Sequence, residues 1–368
     1  MPRSPTISDD LASKLREQIV AGKWDEGKLP SERELSRDYQ VARLTARRAL
    51  KRLCAEQLIA ARPGRGYELV CGAGGNDRGA AGREVLFFFL DRTGARVPDP
   101  IDAGILSGAS AEARRGGLEL YSTSQEPEAF KRIVSQRTGS SLRGVLLDWA
   151  RPDVADYMLD SGVPFVVVED DIEGLPVTSV VQDDAGGTRA ALEHLAAHGH
   201  RRIGVVASSG CDYHIDRRLS AYREFMLRSG LGVGPELIAR APKDRNGVRT
   251  SDARAAAVRL LDLEEGRAPT AIFAASGGMV DGLLEEVQSR GLRVPQDLSL
   301  VVWGQQFVRA AGGKRSDLAH VIWDRQEMGR MAMLALEERI RVGRPERMVF
   351  RIETQVVDRG SVAAPCRR

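Results

Sequence analysis

Residues 29–53 read Leu29-Pro-Ser-Glu-Arg-Glu-Leu-Ser-Arg-Asp-Tyr-Gln-Val-Ala-Arg-Leu-Thr-Ala-Arg-Arg-Ala-Leu-Lys-Arg-Leu53, and the rest of the first 70 residues is organised around them. Ser31 followed three residues on by Glu34 is a capping box, in which each side chain takes up a backbone N–H that a helix start leaves without a partner. A helix therefore opens at Pro30-Ser31. A second helix runs from about Ala42 to Gln57 and turns Leu50 and Leu53 to one side. Upstream, Leu11, Leu15 and Ile19 recur every four residues behind Ser8, a candidate N-cap, and Gly22 and Gly27 flank the turn that follows. Downstream, Ile59–Leu69 is interrupted by Pro63-Gly64-Arg65-Gly66, which predicts a two-stranded hairpin.

Three helices and a hairpin in that order make a winged helix-turn-helix, and the charge sits where such a unit needs it. The whole chain carries only +3, but residues 1–70 hold 14 Lys/Arg against 10 Asp/Glu. Between Arg43 and Arg65 seven basic residues face one acid, Glu56. That local excess is an electrostatic footprint for a polyanion. The N-terminal part of a recognition helix reaches base edges in the major groove. Arg43 and Arg47 suit that place because a guanidinium fork pairs with guanine O6 and N7 or grips phosphate. Thr45 bonds a phosphate or touches a thymine methyl. A solvated charged face is the usual fate of helix arginines, but the succession of turn, capping box and glycine-flanked wing favours DNA.

The remaining residues form a second unit. Cys71–Arg83, CGAGGNDRGAAGR, has five glycines and no large apolar side chain, so it reads as a linker. Beyond it, strand-like runs recur at Glu84–Leu90, Leu118–Tyr121, Gly144–Asp148, Pro164–Glu169, Ser179–Val181, Arg202–Ala207, Ala271–Ala274, Leu298–Trp303 and His320–Trp323. Helical patterns such as Ala103–Arg115, Val154–Ser161, Gly186–His198, Arg217–Ser229, Ala253–Leu263 and Met279–Arg290 lie between them. Short β-branched strands alternating with amphipathic helices predict an α/β architecture with parallel sheets. Nine strands are too many for one small sheet, so two doubly wound lobes are expected. The expected divisions are a head at 1–70, a linker at 71–83, a two-lobed domain at 84–362 and a tail at 363–368.

Composition narrows the setting. At 42% hydrophobic and 29% charged the chain is an ordinary globular protein. No apolar run is long enough to span a bilayer, the N-terminus lacks the apolar core of a secretory signal, and Cys54, Cys71, Cys211 and Cys366 form no CxxC pair. These features predict a cytoplasmic protein with reduced thiols.

In open parallel sheets ligands bind beyond the carboxyl ends of the strands. Those ends carry Asp91, Asp148-Trp149, Glu169-Asp170-Asp171, Trp303-Gly304-Gln305 and Trp323-Asp324, among them three of the four tryptophans. Aromatic faces beside carboxylates and amides suit a sugar or another polar ring compound. Tryptophans that merely fill space under loops are the plainer reading, and the clustering weighs against it.

Both units resemble known families. Leu29-Pro-Ser-Glu-Arg-Glu-Leu35, Val41-Ala-Arg-Leu-Thr-Ala-Arg47-Arg-Ala-Leu50, Leu58-Ile59 and Gly64-Arg65-Gly66 are similar to the GntR-type winged helix over about residues 8–70. The resemblance implies that Arg33, Arg43, Thr45 and Arg47 contact operator DNA and that the wing, with Arg62, Gly64 and Arg65, reaches the minor groove or its backbone. Ala42 and Ala46 stand where that family usually has Ser and Val, which removes a plausible phosphate contact. Residues 84–362 resemble the LacI-type effector domain, with the fold of periplasmic sugar-binding proteins. The motifs are Gly162-Val-Pro164, Gly199-His-Arg-Arg-Ile203, Arg218-Leu-Ser-Ala-Tyr222, Gly291-Leu-Arg-Val-Pro-Gln-Asp-Leu-Ser299, Met328-Gly329 and Asp358-Arg-Gly-Ser361. That resemblance implies two lobes with a ligand cleft between them and dimerisation through the lobes, with Arg218 as a ligand donor and Ser276 near the ligand. Ser276-Gly277 and Gly304-Gln305 replace the acidic positions usual in the family, so the pocket is either re-tuned or degenerate.

Catalysis finds little support. His194 and His198 have a zinc-like i, i+4 spacing, with His200 close by, but the sequence offers no third ligand at a defined spacing. No P-loop, dinucleotide fingerprint or ordered triad stands out, so no cofactor, no metal and no enzyme activity are expected. The reading is a homodimeric DNA-binding transcriptional regulator, a repressor, controlled by a small sugar-like effector and binding double-stranded operator DNA. A constitutive DNA binder with a decayed pocket is the alternative, and an enzyme on a doubly wound fold a remote one.

Overall fold

The capping box forms as written: Ser31 Oγ accepts from Glu34 N, and Glu34 returns a carboxylate to Ser31 N at 2.7 Å. In this computed structural model the described residues are 7–20, 28–55, 59–62, 66–69, 83–91, 94–95, 102–148, 151–209, 213–232, 234–244, 247–264, 266–304, 318–343 and 347–366. The head consists of α1 (Ile7–Val20), β1 (Lys28–Leu29), α2 (Glu32–Asp38), α3 (Arg43–Ala55), β2 (Ile59–Arg62) and β3 (Gly66–Leu69). Leu11, Leu15, Leu35, Ala46, Ala49, Leu50, Leu53 and Ile59 form its buried core. Deleting one such leucine side chain costs about 2–5 kcal/mol. Ser8 lies inside α1 rather than before it. The expected hairpin gains a third strand, because β1 pairs antiparallel with β3. Gln40, in the turn between α2 and α3, takes φ 49°, a left-handed conformation seldom adopted outside glycine and asparagine.

The next stretch supplies β4 (Glu84–Asp91), β5 (Gly94–Ala95), α4 (Asp102–Arg115), β6 (Glu119–Ser124), α5 (Pro127–Arg137), β7 (Leu142–Asp148), α6 (Pro152–Ser161), β8 (Phe165–Val168) and β9 (Thr178–Gln182). After β9 come α7 (Asp184–Ala197), β10 (Ile203–Ser208), α8 (Tyr213–Arg228), β11 (Ile238–Ala241), the short β12 (Lys243–Asp244) and β13 (Gly247–Val248), α9 (Thr250–Leu261), β14 (Ala271–Ala274), α10 (Val280–Ser289), β15 (Ser299–Trp303) and β16 (Ala319–Trp323). The chain closes with α11 (Arg325–Val342), β17 (Met348–Ile352) and β18 (Thr354–Val357).

Two sheets result, one per lobe. The first runs β17-β9-β8-β7-β4-β6, parallel throughout, with β5 antiparallel at the end of β4. The second runs β11-β10-β14-β15-β16-β18, parallel except for β18. Strands such as Val85–Phe89 and Ile203–Ser208 are buried along their length, as parallel strands covered by helices on both faces must be. All nine runs anticipated as strands are strands; α5, α11, β11, β17, β18 and the two-residue strands β5, β12 and β13 come in addition.

The chain passes between the sheets three times: after β9, after β16 and between β17 and β18. Asp183 and Asp324 cap the helices entered at the first two passages, accepting from Gly186 N and Glu327 N. Asp183 N also donates to Ile352 O, and Thr354 Oγ1 donates to Asp183 O, so the first and third passages are tied together.

Candidate functional site

At the head, α2 and α3 together present exposed cations. Arg33, Arg43 and Arg48 are exposed, and Arg33 and Arg43 form no ion pair with any described residue. Arg47 is exposed too but engaged: its Nε and Nη2 donate to the Glu32 carboxylate at 2.9–3.0 Å. Tyr67 OH, on the wing, donates to Glu32 as well. These bonds, the one from Arg47 foremost, hold the Glu32 carboxyl below its ordinary value. Glu32 thus links α2, α3 and β3, a role sequence reasoning missed. Thr45 is half-buried. Leu44, also passed over, is 57% exposed between the arginines, where an apolar side chain can meet a thymine methyl. The Arg62 side chain, Gly64 and Arg65 lie outside the described residues, as does the linker up to Arg83.

Ala42 immediately precedes α3, and its carbonyl accepts from Thr45 N and Ala46 N. It therefore occupies the N-cap position with no side-chain acceptor, so the serine expected there is missing as a helix cap as well as a phosphate contact.

Between the lobes a buried polar cluster has formed. Arg218, on α8, donates Nε to Asp184 Oδ1 and Nη1 to Ala275 O, both at 2.7 Å, and its guanidinium lies 3.8 Å from the Trp303 ring centre. His214, one turn earlier on α8, sets Nδ1 2.6 Å from Asp184 Oδ2 and points Nε2 at the carbonyl of Glu169, in the other lobe. The Gln182 amide stands 3.0 Å from the same Nδ1. A carboxylate and a carbonyl both need donors, and an imidazole donates from both nitrogens only when protonated. Burial alone would depress the His214 pKa, but the Asp184 charge and hydrogen bond overcome it and raise it. Burial would likewise raise the Asp184 carboxyl, but the charges of Arg218 and His214 outweigh it and hold it low. Glu169 has φ 58°, strained for a glutamate and of the kind that gathers at functional sites.

The tryptophans lie beside this cluster. Trp303 and Trp323 are 6.1 Å apart, with Arg325 4.4 Å from the Trp323 ring centre. Each indole therefore has a guanidinium on one face, which reduces the area open to stacking. The two Nε1 atoms are buried without a hydrogen-bond acceptor among the described residues. Ser276 follows Ala275, the carbonyl partner of Arg218, and Asp148 is buried at the end of β7. Trp149, Gln305 and the Asp91 side chain lie outside the described residues. The structure thus brings Glu169, Arg218, Ser276, Trp303 and Trp323 to one region. Sequence reasoning passed over Asp184 and His214. Their signal was present: His214 and Arg218 are an i, i+4 pair of cations on an otherwise apolar helical face, needing a buried counter-charge.

A winged helix with a bared cationic helix start, joined to two α/β lobes with a buried polar cluster between them, defines a DNA-binding regulator with a ligand-sensing domain. Residues 7–69 match the model of bacterial regulatory proteins of the gntR family, and residues 192–362 that of the periplasmic binding protein-like domain. The HTH-type transcriptional regulator CelR of Thermobifida fusca is 32% identical over 272 residues, 72% of this chain and 76% of that protein. The HTH-type transcriptional repressor CytR of Escherichia coli K12 is 31% identical over 280 residues, 73% and 77% of the two chains. The structure of a LacI family transcriptional regulator from Mycobacterium smegmatis superposes with TM-score 0.61 at 25% identity, covering 77% of this chain and all of that one. A CelR–cellobiose complex, 22% identical with TM-score 0.63, covers 97% of this chain and shares the fold. The chain belongs to the HTH-type transcriptional regulators, with a gntR-type head on a LacI-type domain, and is a ligand-controlled DNA-binding regulator.

Proposed function

We propose that this regulator is a cytoplasmic repressor without enzymatic activity. Its homodimer binds a two-fold operator through α3 and the wing and is released or recruited by a sugar-like effector in the cleft. The observation that carries the ligand reading is the pair of buried indole N–H donors of Trp303 and Trp323, without acceptors among the described residues, beside the Arg218–Asp184–His214 cluster. A buried polar group is costly when unpaired, and a hydroxyl-rich ligand supplies the acceptors. On the DNA side Arg33, Arg43, Leu44 and Thr45 read the major groove, and Arg47 joins them by exchanging Glu32 for phosphate. The related CelR has been captured in complex with cellobiose, which supports a disaccharide-sized polar effector here.

One observation favours the second reading, a constitutive binder: Arg218 spends its donors on Asp184 and Ala275 and its face on Trp303, as in a pocket that has closed on itself. A thermal-denaturation screen of the full-length protein against cellobiose, other mono- and disaccharides, sugar acids and nucleosides separates the two. A saturable rise in midpoint with one class identifies the effector, since a ligand of the native state raises its stability. A flat screen with operator binding intact supports the closed pocket.

A further inference from the structure

We propose that His194, His198 and Asp358 form a binding site for a zinc-class divalent transition metal at the surface of the second lobe. The i, i+4 spacing places both imidazoles on one side of the C-terminal end of α7, with His198 as its C-cap and the ring centres 4.7 Å apart. His198 directs Nδ1 to the carbonyl of His194 at 2.8 Å. That bond fixes the proton on Nδ1 and leaves the Nε2 lone pair for a metal, the usual way an outer partner orients a histidine ligand.

The third ligand, absent from any local motif, arrives by way of the fold. β18 runs beside α7, and Asp358 follows it directly, 164 residues from His194; its Oδ2 lies 3.0 Å from His194 Nε2. Asp358 Oδ1 accepts from Gly360 N at 2.8 Å, so the carboxylate too is held from behind.

One donor atom from each of the three residues lies within 4.8 Å of the others. Bonds of about 2.0–2.2 Å in a tetrahedron require ligand atoms roughly 3.3–3.5 Å apart. The shortest pair is already inside that distance. The rest closes by rotation of partly exposed side chains, since His194 and Asp358 are 24% and 32% exposed. Water completes the fourth position. Two imidazoles and one carboxylate suit Zn²⁺, Ni²⁺ or Cu²⁺ rather than Ca²⁺ or Mg²⁺.

His200 does not take part: it is buried and its Nδ1 pairs with Thr270 Oγ1. Along α7 the site is ten to fourteen residues from Asp184, roughly 15–21 Å at the helical rise. It is therefore separate from the effector cleft. An ion there would clamp α7 to the end of β18, the elements entered at the first and third passages between the lobes.

The test is a titration of untagged, chelator-stripped full-length protein with Zn²⁺ in competition with a chromogenic chelator, alongside Co²⁺ absorption spectra. The proposal predicts one ion per chain with a dissociation constant of about 10 μM or tighter. His198→Asn and Asp358→Asn should each weaken it about tenfold or more, as loss of one of three ligands must. It also predicts a Co²⁺ spectrum with visible d–d bands and no thiolate charge-transfer band. That readout on the wild-type chain separates this site from Cys366, an exposed free thiol. Both variants alter surface side chains, and retained operator binding would show that they fold. Binding of equal affinity in wild type and both variants, a thiolate band, or no saturable uptake would each overturn the proposal.

Discussion

Arg43 and Arg47 lie one turn apart on α3 but differ in what binding DNA requires of them. Arg43 is exposed without an ion-pair partner among the described residues, whereas Arg47 is paired with Glu32 and in the proposed operator complex must first leave it. Arg43→Ala should therefore weaken operator binding by about 1–3 kcal/mol and relax specificity at its base pair; unchanged affinity in a fluorescence-anisotropy titration would remove it from the interface. Ala42→Ser restores an acceptor at the N-cap of α3. The variant should stabilise the head by about 0.5–2 kcal/mol, measured by urea denaturation; no gain would mean that the α3 N-terminus is satisfied in another way. At this scale the sequence was legible where chemistry is local: the capping box and the arginine row could be read from spacing, and the missing serine from the resemblance to the GntR-type pattern. The pairings of Glu32, Asp184 and His214 could not be assigned, because their partners are 15, 34 and 30 residues away and only folding brings them together.

Helices α4 and α11 cross at two glycines. A Cβ on Gly108 would fall 1.9 Å from Gln326 O, and one on Gly329 the same distance from Ile105 O, in each case against backbone. Neither helix can yield without moving off the sheet beneath it. Gly329→Ala should therefore destabilise the first lobe by about 1–3 kcal/mol or more, as overpacking does, lowering its chemical-denaturation midpoint; a shift within error would show that the helices slide freely. The same packing explains why α11 was not among the helices that periodicity singled out. Gly329, Ala332 and Ala335 bury by being small and Arg339 is buried among them, so the apolar face built on Met328, Met333 and Leu336 is interrupted along the helix. β17 and β18 were missed for a related reason: Met348–Ile352 and Thr354–Val357 border their sheets, are mostly half-buried and interleave polar residues. The central strands, buried on both faces, were unmistakable.

For the whole molecule, the salient contact is His214 reaching from the second lobe to the Glu169 carbonyl of the first. Around its ring stand Asp184, Arg218, Tyr213 and Gln182, so one carboxylate opposes one guanidinium. An imidazole whose pKa is raised on folding adds stability that is complete below its unfolded value of about 6.5 and is lost as the pH climbs through the raised folded value. The thermal midpoint of wild type should thus exceed that of His214→Gln most at about pH 6, and the gap should narrow toward alkaline pH; a gap independent of pH would mean that the ring is neutral at both ends of the range. The two-lobed plan and the winged head were legible from the alternation of strands and helices. How the lobes are latched was not, since three passages of the chain converge there and no spacing announces it.

In the proposed mechanism, occupancy of the cleft sets affinity for DNA. The most direct measurement is the dissociation constant of the full-length protein for an operator duplex that it has selected from random-sequence DNA, with and without the sugar that raises its thermal midpoint. A coupling of about 1–3 kcal/mol predicts a change of roughly 5- to 150-fold, with the duplex changing sugar affinity by the same factor. An operator affinity that stays constant while the sugar saturates its site would contradict it.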